Sequence, residues 1–520
     1  MRIERKSNSN AMVLQILPLL LIPPFLVSTP AQVHPPLPPN QPRNTCYRTN
    51  YAPPRIGATA MPSPGILLLA GLFAIPASPQ GAAIVRPTPQ QSAWQDLEYG
   101  MFCHFGPNTF HNLEWGDGAA DPKTFYPTDF DANQWVAAAK AAGMKYLVVT
   151  AKHHDGFCLF QTKYTDYSVK SSPWRDGKGD VVKEVAEACH KQGLKFGFYL
   201  SPWDRHDPSY ADSKKYDEHF MAQLTELLTN YGEVTEVWFD GAGGAGHVYN
   251  WDAYYSLVRK LQPHALIAIC GPDIRWVGNE DGLAPATLDN LADRGEKKVW
   301  YPAECDVPIR SGWFWHTDNE SSIKSLDHML DIYHRSVGHG ANLLLNVAPD
   351  RRGLIPDADI ARLKELRAVI EANQAHNLVL NRPIRATNTV RSDASHSAAK
   401  AVDGDSRTWW AAEPGRTRAR LEVDLGGMVT FNQAITAEMI ECGQAVRSYT
   451  IEAWDGTKWR EICRGTTIGH KKIDLFDDVT ASKVRLSITS AGAATPAGPA
   501  TPAGPELTIR EFGVYYRPTK

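Results

Sequence analysis

Val237-Trp238-Phe239-Asp240-Gly241 is an apolar run that halts on a carboxylate, and the glycine-rich turn Gly241-Ala242-Gly243-Gly244 follows it. The run has the length and composition of a buried strand, so the chain delivers one acid to a strand's carboxyl end and then turns away. Just before it, residues 195–200 form another apolar run, followed by a helical stretch at 215–230. A further helical stretch, 252–261, comes after the acid. The alternation extends both ways. Runs at 101–103 and 146–150 lead into helical patterns at 131–142 and 180–192. Residues 266–270, 299–303 and 342–347 are further strand candidates, and helices at 322–336 and 357–373 complete the series. Repeating βα units over about 250 residues predict an α/β fold, a (β/α)8-like barrel, with an irregular seventh strand near 312–315.

Reactive side chains fall where such a barrel builds its site. His104, Lys152-His153-His154-Asp155, the stretch from Tyr199 to Asp204, Asp240 and Asn346 each lie at or just past a predicted strand's carboxyl end. Mere loop polarity would not choose one end of every strand.

Beyond residue 381 or so the texture changes to short alternating segments at 420–425, 448–454 and 483–488, without helical periodicity, which predicts a β-sandwich. Its tandem repeat Ala-Thr-Pro-Ala-Gly-Pro within 493–505 is too rich in proline and glycine for a sheet and reads as a loop before a last strand at 506–514. The chain therefore divides into a leader region 1–82, a catalytic barrel 83–380 and a sandwich module 381–520.

Of 520 residues, 43% are hydrophobic and 21% charged, enough for two cores. The net charge of −3 offers no attraction for a polyanion, so nucleic acid and anionic membrane surfaces are not expected partners. In the leader, Arg2, Arg5 and Lys6 precede an apolar stretch at 11–27, and a second stretch spans 66–75. Both are shorter than the ~20 apolar residues of a spanning helix. Pro18, Pro23, Pro24, Pro64 and Pro76 interrupt or bracket them. We expect an export signal starting at Met61 and removed near 77–83, a periplasmic or extracellular protein, and no stable membrane span. The eight cysteines show no CxxC spacing, which argues against a zinc ribbon or a dense disulfide framework. Cys442 and Cys463 are candidates for a single bridge.

An acid at a strand end beside Trp238 needs a second acid for glycosidic cleavage, one attacking the anomeric carbon and one protonating the leaving oxygen. Glu280, in the loop 271–282 after the fifth strand, is the candidate. An aspartate nucleophile with a glutamate acid/base is a retaining pair, which calls for carboxyls about 5 to 5.5 Å apart. The alternatives are a helix cap for Asp240 and an exposed loop acid for Glu280. Trp115, Tyr199, Trp203, Trp238, Trp313 and Trp315 offer faces for sugar C–H groups, while His104, His153, His154 and Glu114 offer hydroxyl partners. Trp203 and Trp315 read equally as core, whereas Trp238, next to the acid, reads as site. His153-His154-Asp155 also suits a metal, but adjacent residues on extended backbone point to opposite sides, which favours hydroxyl recognition. No Gly-x-Ser-x-Gly elbow supports a serine hydrolase in the barrel region.

Several segments, in order, resemble the family 29 glycoside hydrolases, the α-L-fucosidases: His104-Phe105-Gly106-Pro107-Asn108-Thr109-Phe110, Glu114-Trp115-Gly116, Lys152-His153-His154-Asp155-Gly156-Phe157, Tyr164-Thr165-Asp166-Tyr167-Ser168-Val169, Ser201-Pro202-Trp203-Asp204 and the Asp240 run. The resemblance implies Asp240 as nucleophile, a fucose pocket lined by His104, Glu114, Trp115, His153, His154, Tyr199 and Trp238, Trp313 near the sugar's methyl group, and no metal for catalysis. Residues 271–282, 302–307 and 312–316 resemble the branch acting on α-1,3/1,4-linked fucose, which implies Glu280 as acid/base. The distal part resembles discoidin (coagulation factor 5/8 type C) modules, which include family 32 carbohydrate-binding modules, through Ala401-Val402-Asp403-Gly404-Asp405, Thr408-Trp409-Trp410 and the last strand's Glu511. This implies a structural Ca²⁺ held by Asp403, Asp405, Thr408 and Glu511, the alternative being a plain Asx turn, and a core place for Trp410. The expected activity is that of a retaining exo-α-L-fucosidase on fucosylated oligosaccharides or glycoconjugates. The competing readings are a non-catalytic fucose- or galactose-binding protein and a metal-dependent barrel hydrolase.

Overall fold

In the computed structural model, β1 (Tyr99–Cys103), β2 (Tyr146–Lys152), β3 (Lys195–Leu200), β4 (Glu236–Phe239), β5 (Leu266–Ile269) and β6 (Arg275–Trp276) precede a hairpin of β7 (Leu291–Arg294) and β8 (Lys297–Trp300). β9 (Ala303–Pro308) and β10 (Asn342–Asn346) complete the first half. Residues 84–244, 246–295, 297–390, 394–492 and 506–518 are described. The leader and the 493–505 repeat lie outside them.

Eight of these strands pair side by side in the order β5-β4-β3-β2-β1-β10-β9-β6. All these pairings are parallel. A bridge between Ala268 and Ile274 brings the two edges together, so the barrel is nearly closed. The helices α1 (Pro89–Gln95), α2 (Pro107–His111), α3 (Ala132–Ala141), α4 (Val181–Gln192), α5 (Ser213–Asn230), α6 (Trp251–Leu261), α7 (Leu326–Ser336) and α8 (Asp357–Gln374) fall close to the predicted stretches where one was predicted. α3, α4, α5 and α7 each start on a side chain that accepts a backbone N–H: Asp131, Asp180, Asp212 and Ser325.

The seventh strand corrects the sequence reading. It is β9, regular over Ala303–Pro308, while residues 312–315 form a loop. The irregular member is β6, two residues long. The candidate at 299–303 straddles the end of β8 and the start of β9.

Side chains alternate along the strands as the pleat requires. Met101, Leu147, Val149, Phe198, Val237, Ile267, Cys305 and Leu343 pack in the layer beneath the helices. Phe102, Tyr146, Val148, Tyr199, Trp238, Ala268 and Leu344 fill the barrel, where Trp94 of α1 joins them. Gly100 occupies an inward position because the Tyr146 ring leaves no room for more: a Cβ there would lie 2.5 Å from it.

The second unit is antiparallel. β13 (Ala419–Ala437) and β16 (Lys472–Ala491) pair at the centre of a sheet ordered β11 (Ile384–Ala386), β13, β16, β14 (Val446–Trp454) and β15 (Trp459–Gly465), and β18 (Glu511–Tyr515) also pairs with β13. A ribbon of β12 (Trp410–Ala411) and β17 (Thr508–Ile509) accompanies it. Trp410 is fully buried in this core, as expected. The expected bridge is not made: Cys442 and Cys463 are free. Cys463 sits on β15 opposite Ile451, whereas Cys442 ends the turn Ile440–Cys442, whose Glu441 accepts from Ser92 of α1. Among the described residues, no helix is long and apolar enough to cross a membrane.

Gly100→Ala should lower stability by about 1–3 kcal/mol through overpacking against Tyr146. The expected signature is a lower urea midpoint at unchanged denaturant slope.

Candidate active site

Asp240 directly follows β4, and its side chain is 25% exposed. The Tyr199 hydroxyl donates to its Oδ2 (3.1 Å) and the Ala242 amide to its Oδ1 (2.7 Å). The glycine-rich turn thus supplies a backbone donor that aims the carboxylate, and β3 supplies the other. His154 Nε2 lies 3.8 Å from the same Oδ2, too far for a hydrogen bond.

The three histidines line the same mouth. His104 lies 5.5 Å from His153 between ring centres, and His153 lies 4.2 Å from His154. Burial lowers all three from the ordinary imidazole value, to about 3 for His104, so they are neutral. Two tautomers follow from the bonding. The Asn346 amide donates to the Trp313 carbonyl (2.7 Å), so its Oδ1, 2.9 Å from His104 Nδ1, must accept. The Ser201 hydroxyl spends its hydrogen on the Trp203 carbonyl (2.6 Å), so it accepts from His154 Nδ1 (2.8 Å). Both histidines therefore carry the hydrogen on Nδ1 and keep a lone pair on Nε2 for a ligand hydroxyl.

Glu114 turns out to be a docking group for the loop after β9. Its carboxylate accepts from the backbone N–H of Trp313 (2.7 Å) and Phe314 (3.3 Å) and bonds His316 Nε2. Gly312 permits this approach, with φ +90° and a position where any Cβ would overlap the carboxylate. Trp313 is thereby placed 5.1 Å from His104 between ring centres. Trp115 is 40% exposed and packs against His154 and Trp203, an exposed apolar wall. Trp238 differs from its expected place. It is buried in the barrel interior, stacked on Tyr199 at 5.3 Å, with its indole donating to Glu304 (3.0 Å), so it underlies the pocket.

Glu280 reaches the mouth from the loop after β6. Burial raises its carboxyl from the ordinary glutamate value, the charge of Asp240 adds to this, and a hydrogen bond with Trp313 opposes it. Of the predicted site residues, Asp240, Glu280, His104, Glu114, Trp115, His153, His154, Tyr199 and Trp313 come together, with Trp238 beneath. Sequence reading passed over Asn346 and Ser201 as orienting groups, His316 beside Glu114, and Asp306. Asp306 is buried, accepts from the Trp276 indole (2.6 Å), and its carboxyl is raised by burial and by the nearby Glu280. The alternation Ala303-Glu304-Cys305-Asp306-Val307, apolar outward and acidic inward, was the available signal.

His153, His154 and Asp155 do not converge on one ion. His154 Nδ1 is taken by Ser201, and among the described residues no three His, Cys, Asp or Glu side chains are grouped so as to hold a metal ion. In the second unit, Asp403 accepts from the Asp405 amide (3.0 Å), Thr408 Oγ1 (2.8 and 2.9 Å) and Lys400 (3.1 Å). Glu511 is pushed up to about 7 by burial and by the charge of Asp403. Oxygen donors of Asp403, Thr408 and Glu511 suit a hard cation. Asp405 does not fit with them, because Arg407 holds its carboxylate in a fork at 2.9 Å.

A family model described as Alpha-L-fucosidase matches residues 79–375, and one described as F5/8 type C domain matches residues 383–500. Alpha-L-fucosidase 1 of Arabidopsis thaliana is 41% identical over 421 residues, 76% of this chain and 83% of that protein. A Ruminococcus gnavus GH29 fucosidase solved in complex with fucose superposes with TM-score 0.77 at 31% identity, covering 85% of this chain and 97% of that one. A glycoside hydrolase 29 family member from an unknown rumen bacterium gives TM-score 0.72 at 34% identity, covering 84% and 78%.

Two groups under the pocket make its support measurable. Lys152→Met should cost about 3–5 kcal/mol, since it strands the buried Asp204 charge, and urea unfolding measures it. Burial pushes the Asp155 carboxyl up to about 7. The folded state then keeps this proton while the unfolded chain loses it near the ordinary aspartate value, so the group destabilises the fold progressively as pH rises from about 4 to 7. Asp155→Asn does not titrate. Its stability relative to wild type should increase from pH 4.5 to 7.5; a difference that stays constant would contradict the assignment.

Proposed function

Because the chain belongs to the α-L-fucosidase family of glycoside hydrolases, we propose that it is a retaining exo-enzyme with Asp240 as nucleophile and Glu280 as acid/base. The observation that carries this reading is one carboxylate aimed by Tyr199 and Ala242 beside a second whose ionised form is disfavoured. Glu280 enters as the acid and protonates the glycosidic oxygen. Asp240 attacks the anomeric carbon, the bond to the leaving alcohol breaks, and a fucosyl–aspartate ester forms. Glu280, now ionised, takes a proton from water. The resulting hydroxide displaces Asp240 and fucose leaves with its anomeric configuration retained.

The neutral rings prepare the pocket for an uncharged sugar. His104 and His154 turn Nε2 lone pairs to its hydroxyls, and Trp115 and Trp313 give faces to its C–H groups and methyl. Terminal fucose in α-1,3 or α-1,4 linkage on oligosaccharides or glycoconjugates is the substrate class in this reading, supported by the segments 271–282, 302–307 and 312–316. No metal takes part in the reaction. Asp403, Thr408 and Glu511 would hold a structural Ca²⁺ in the F5/8 module, which serves carbohydrate attachment. The leader directs export, which amino-terminal sequencing of secreted protein would check.

Asp240→Ala should lower turnover of an aryl α-L-fucoside to background, and added azide should restore it with formation of a fucosyl azide. Lewis a and Lewis x trisaccharides should be cleaved in preference to 2′-fucosyllactose and the aryl fucoside; the opposite order would rule out the linkage assignment. A chelator should lower the melting temperature of the module while leaving kcat unchanged.

A further inference from the structure

Beneath the pocket, two carboxyl groups that the proposed reaction does not use face each other inside the barrel. Glu236 opens β4 and Glu304 is the second residue of β9, and both are fully buried. The charge of Glu236 adds to burial in disfavouring ionisation of Glu304, and Glu236 Oε1 is buried without a hydrogen-bond partner. Each hydrogen bond to these two carboxylates comes from a large ring. Trp94 Nε1 donates to Glu236 Oε2 (2.8 Å), the Tyr146 hydroxyl to Glu304 Oε1 (2.8 Å), and Trp238 Nε1 to Glu304 Oε2 (3.0 Å). Burial drives both acids toward the neutral form, up to about 7 for Glu236.

Packing alone does not call for acids here. Apolar residues of similar volume would fill the space without the desolvation cost of a carboxyl pair. What the acids add is direction, because an indole N–H with one acceptor fixes the ring's rotation about its stem. The ring so fixed is the platform of the site. Tyr199 stacks on Trp238 at 5.3 Å and 30° and donates to Asp240; Phe102 lies 5.3 Å from Trp238 and touches His104 at 4.5 Å. A tilt of the Trp238 ring would therefore move the group that aims Asp240.

We propose that Glu304 is a positioning residue for the glycosidic reaction: it holds the indole N–H of Trp238, so that Tyr199 stays in line with Asp240. The proposal rests on Asp240 being the nucleophile.

The test is a double-mutant cycle on the full chain with an aryl α-L-fucoside. Glu304→Leu should lower kcat roughly 10- to 100-fold with KM changed less than about threefold, as expected when a nucleophile loses alignment while the sugar still binds. Glu304→Gln keeps an acceptor oxygen for the indole and should recover most of the rate. In a Trp238→Phe background, which lacks the N–H, Glu304→Leu should cost less than about threefold more. Equal losses in both backgrounds, or an unchanged kcat in folded Glu304→Leu, would overturn the proposal. Should Glu304→Leu fail to melt cooperatively, Trp238→Phe alone decides, since it leaves both carboxyls in place: a kcat equal to wild type removes the role. Failure of the nucleophile assignment would look different, as Asp240→Ala that keeps turnover or yields no fucosyl azide.

Discussion

Lys152 Nζ and Asp204 Oδ2 meet at 2.9 Å, with side chains 0% and 2% exposed, and join the ends of two neighbouring barrel strands. Lys152 closes β2, and Asp204 lies four residues beyond β3. Around the pair the two connections are stitched together. The Ser201 amide donates to the Lys152 carbonyl, the Arg205 amide to the His154 carbonyl, and the amides of His206 and Asp207 to Asp204 Oδ1. A second bond from Lys152 runs to the Tyr216 hydroxyl on α5 (3.0 Å). Such a pair adds little net stability, because two charges had to leave water. Its effect is selective: only one arrangement of the turns leaves neither charge alone. His153, His154, Ser201 and Trp203 sit on those turns, so their mutual placement follows from a charge pair outside the pocket.

The pocket built on this support separates roles by environment. Histidines withdrawn from water are neutral, and bonds from Asn346 and Ser201 fix which nitrogen carries the hydrogen. They turn Nε2 lone pairs outward without adding charge near Asp240. Asp240 stays partly open and receives two donors, whereas Glu280 is disfavoured as an anion by burial and by the charge of Asp240. A carboxylate held by two donors, facing an acid whose anion is disfavoured, is the arrangement that the proposed cooperation of nucleophile and acid needs.

Much of this was legible in the sequence because the period of a strand places every second side chain on one face, and an apolar run that ends on a polar residue marks the strand's open end. Asp240, His104, the His153-His154 pair and Tyr199 declare themselves that way. The seventh strand did not, because its inward residues are Glu304 and Asp306, and acids within an apolar run look like a loop until their partners are known. Those partners, Tyr146, Trp238 and Trp276, sit on other strands, so only the closed barrel reveals why the acids are tolerated. Glu114 follows the same rule. It was readable as a polar pocket residue, but its bonds go to backbone N–H groups some 200 residues away, which no local pattern encodes. The Cys442–Cys463 pairing failed for the reverse reason, since nearness in the chain says nothing about which face of a sheet a thiol occupies.

The same geometry assigns the second unit its part. Several of its polar contacts fall on the segment that enters β1, and others on the connection between β6 and β7. His470 and Arg510 hold Asp96, and Lys471 holds Glu98, both acids lying just before β1. Gln444 accepts from Asn290, and Lys472 donates to the Ala286 carbonyl, in the connection ahead of β7. Burial works against ionisation of Asp96, yet the His470 and Arg510 contacts hold its carboxyl at about 2. In a parallel barrel the entering end bears stability and the leaving end bears chemistry. The module therefore lies at the end where α1 already places Trp94 in the interior.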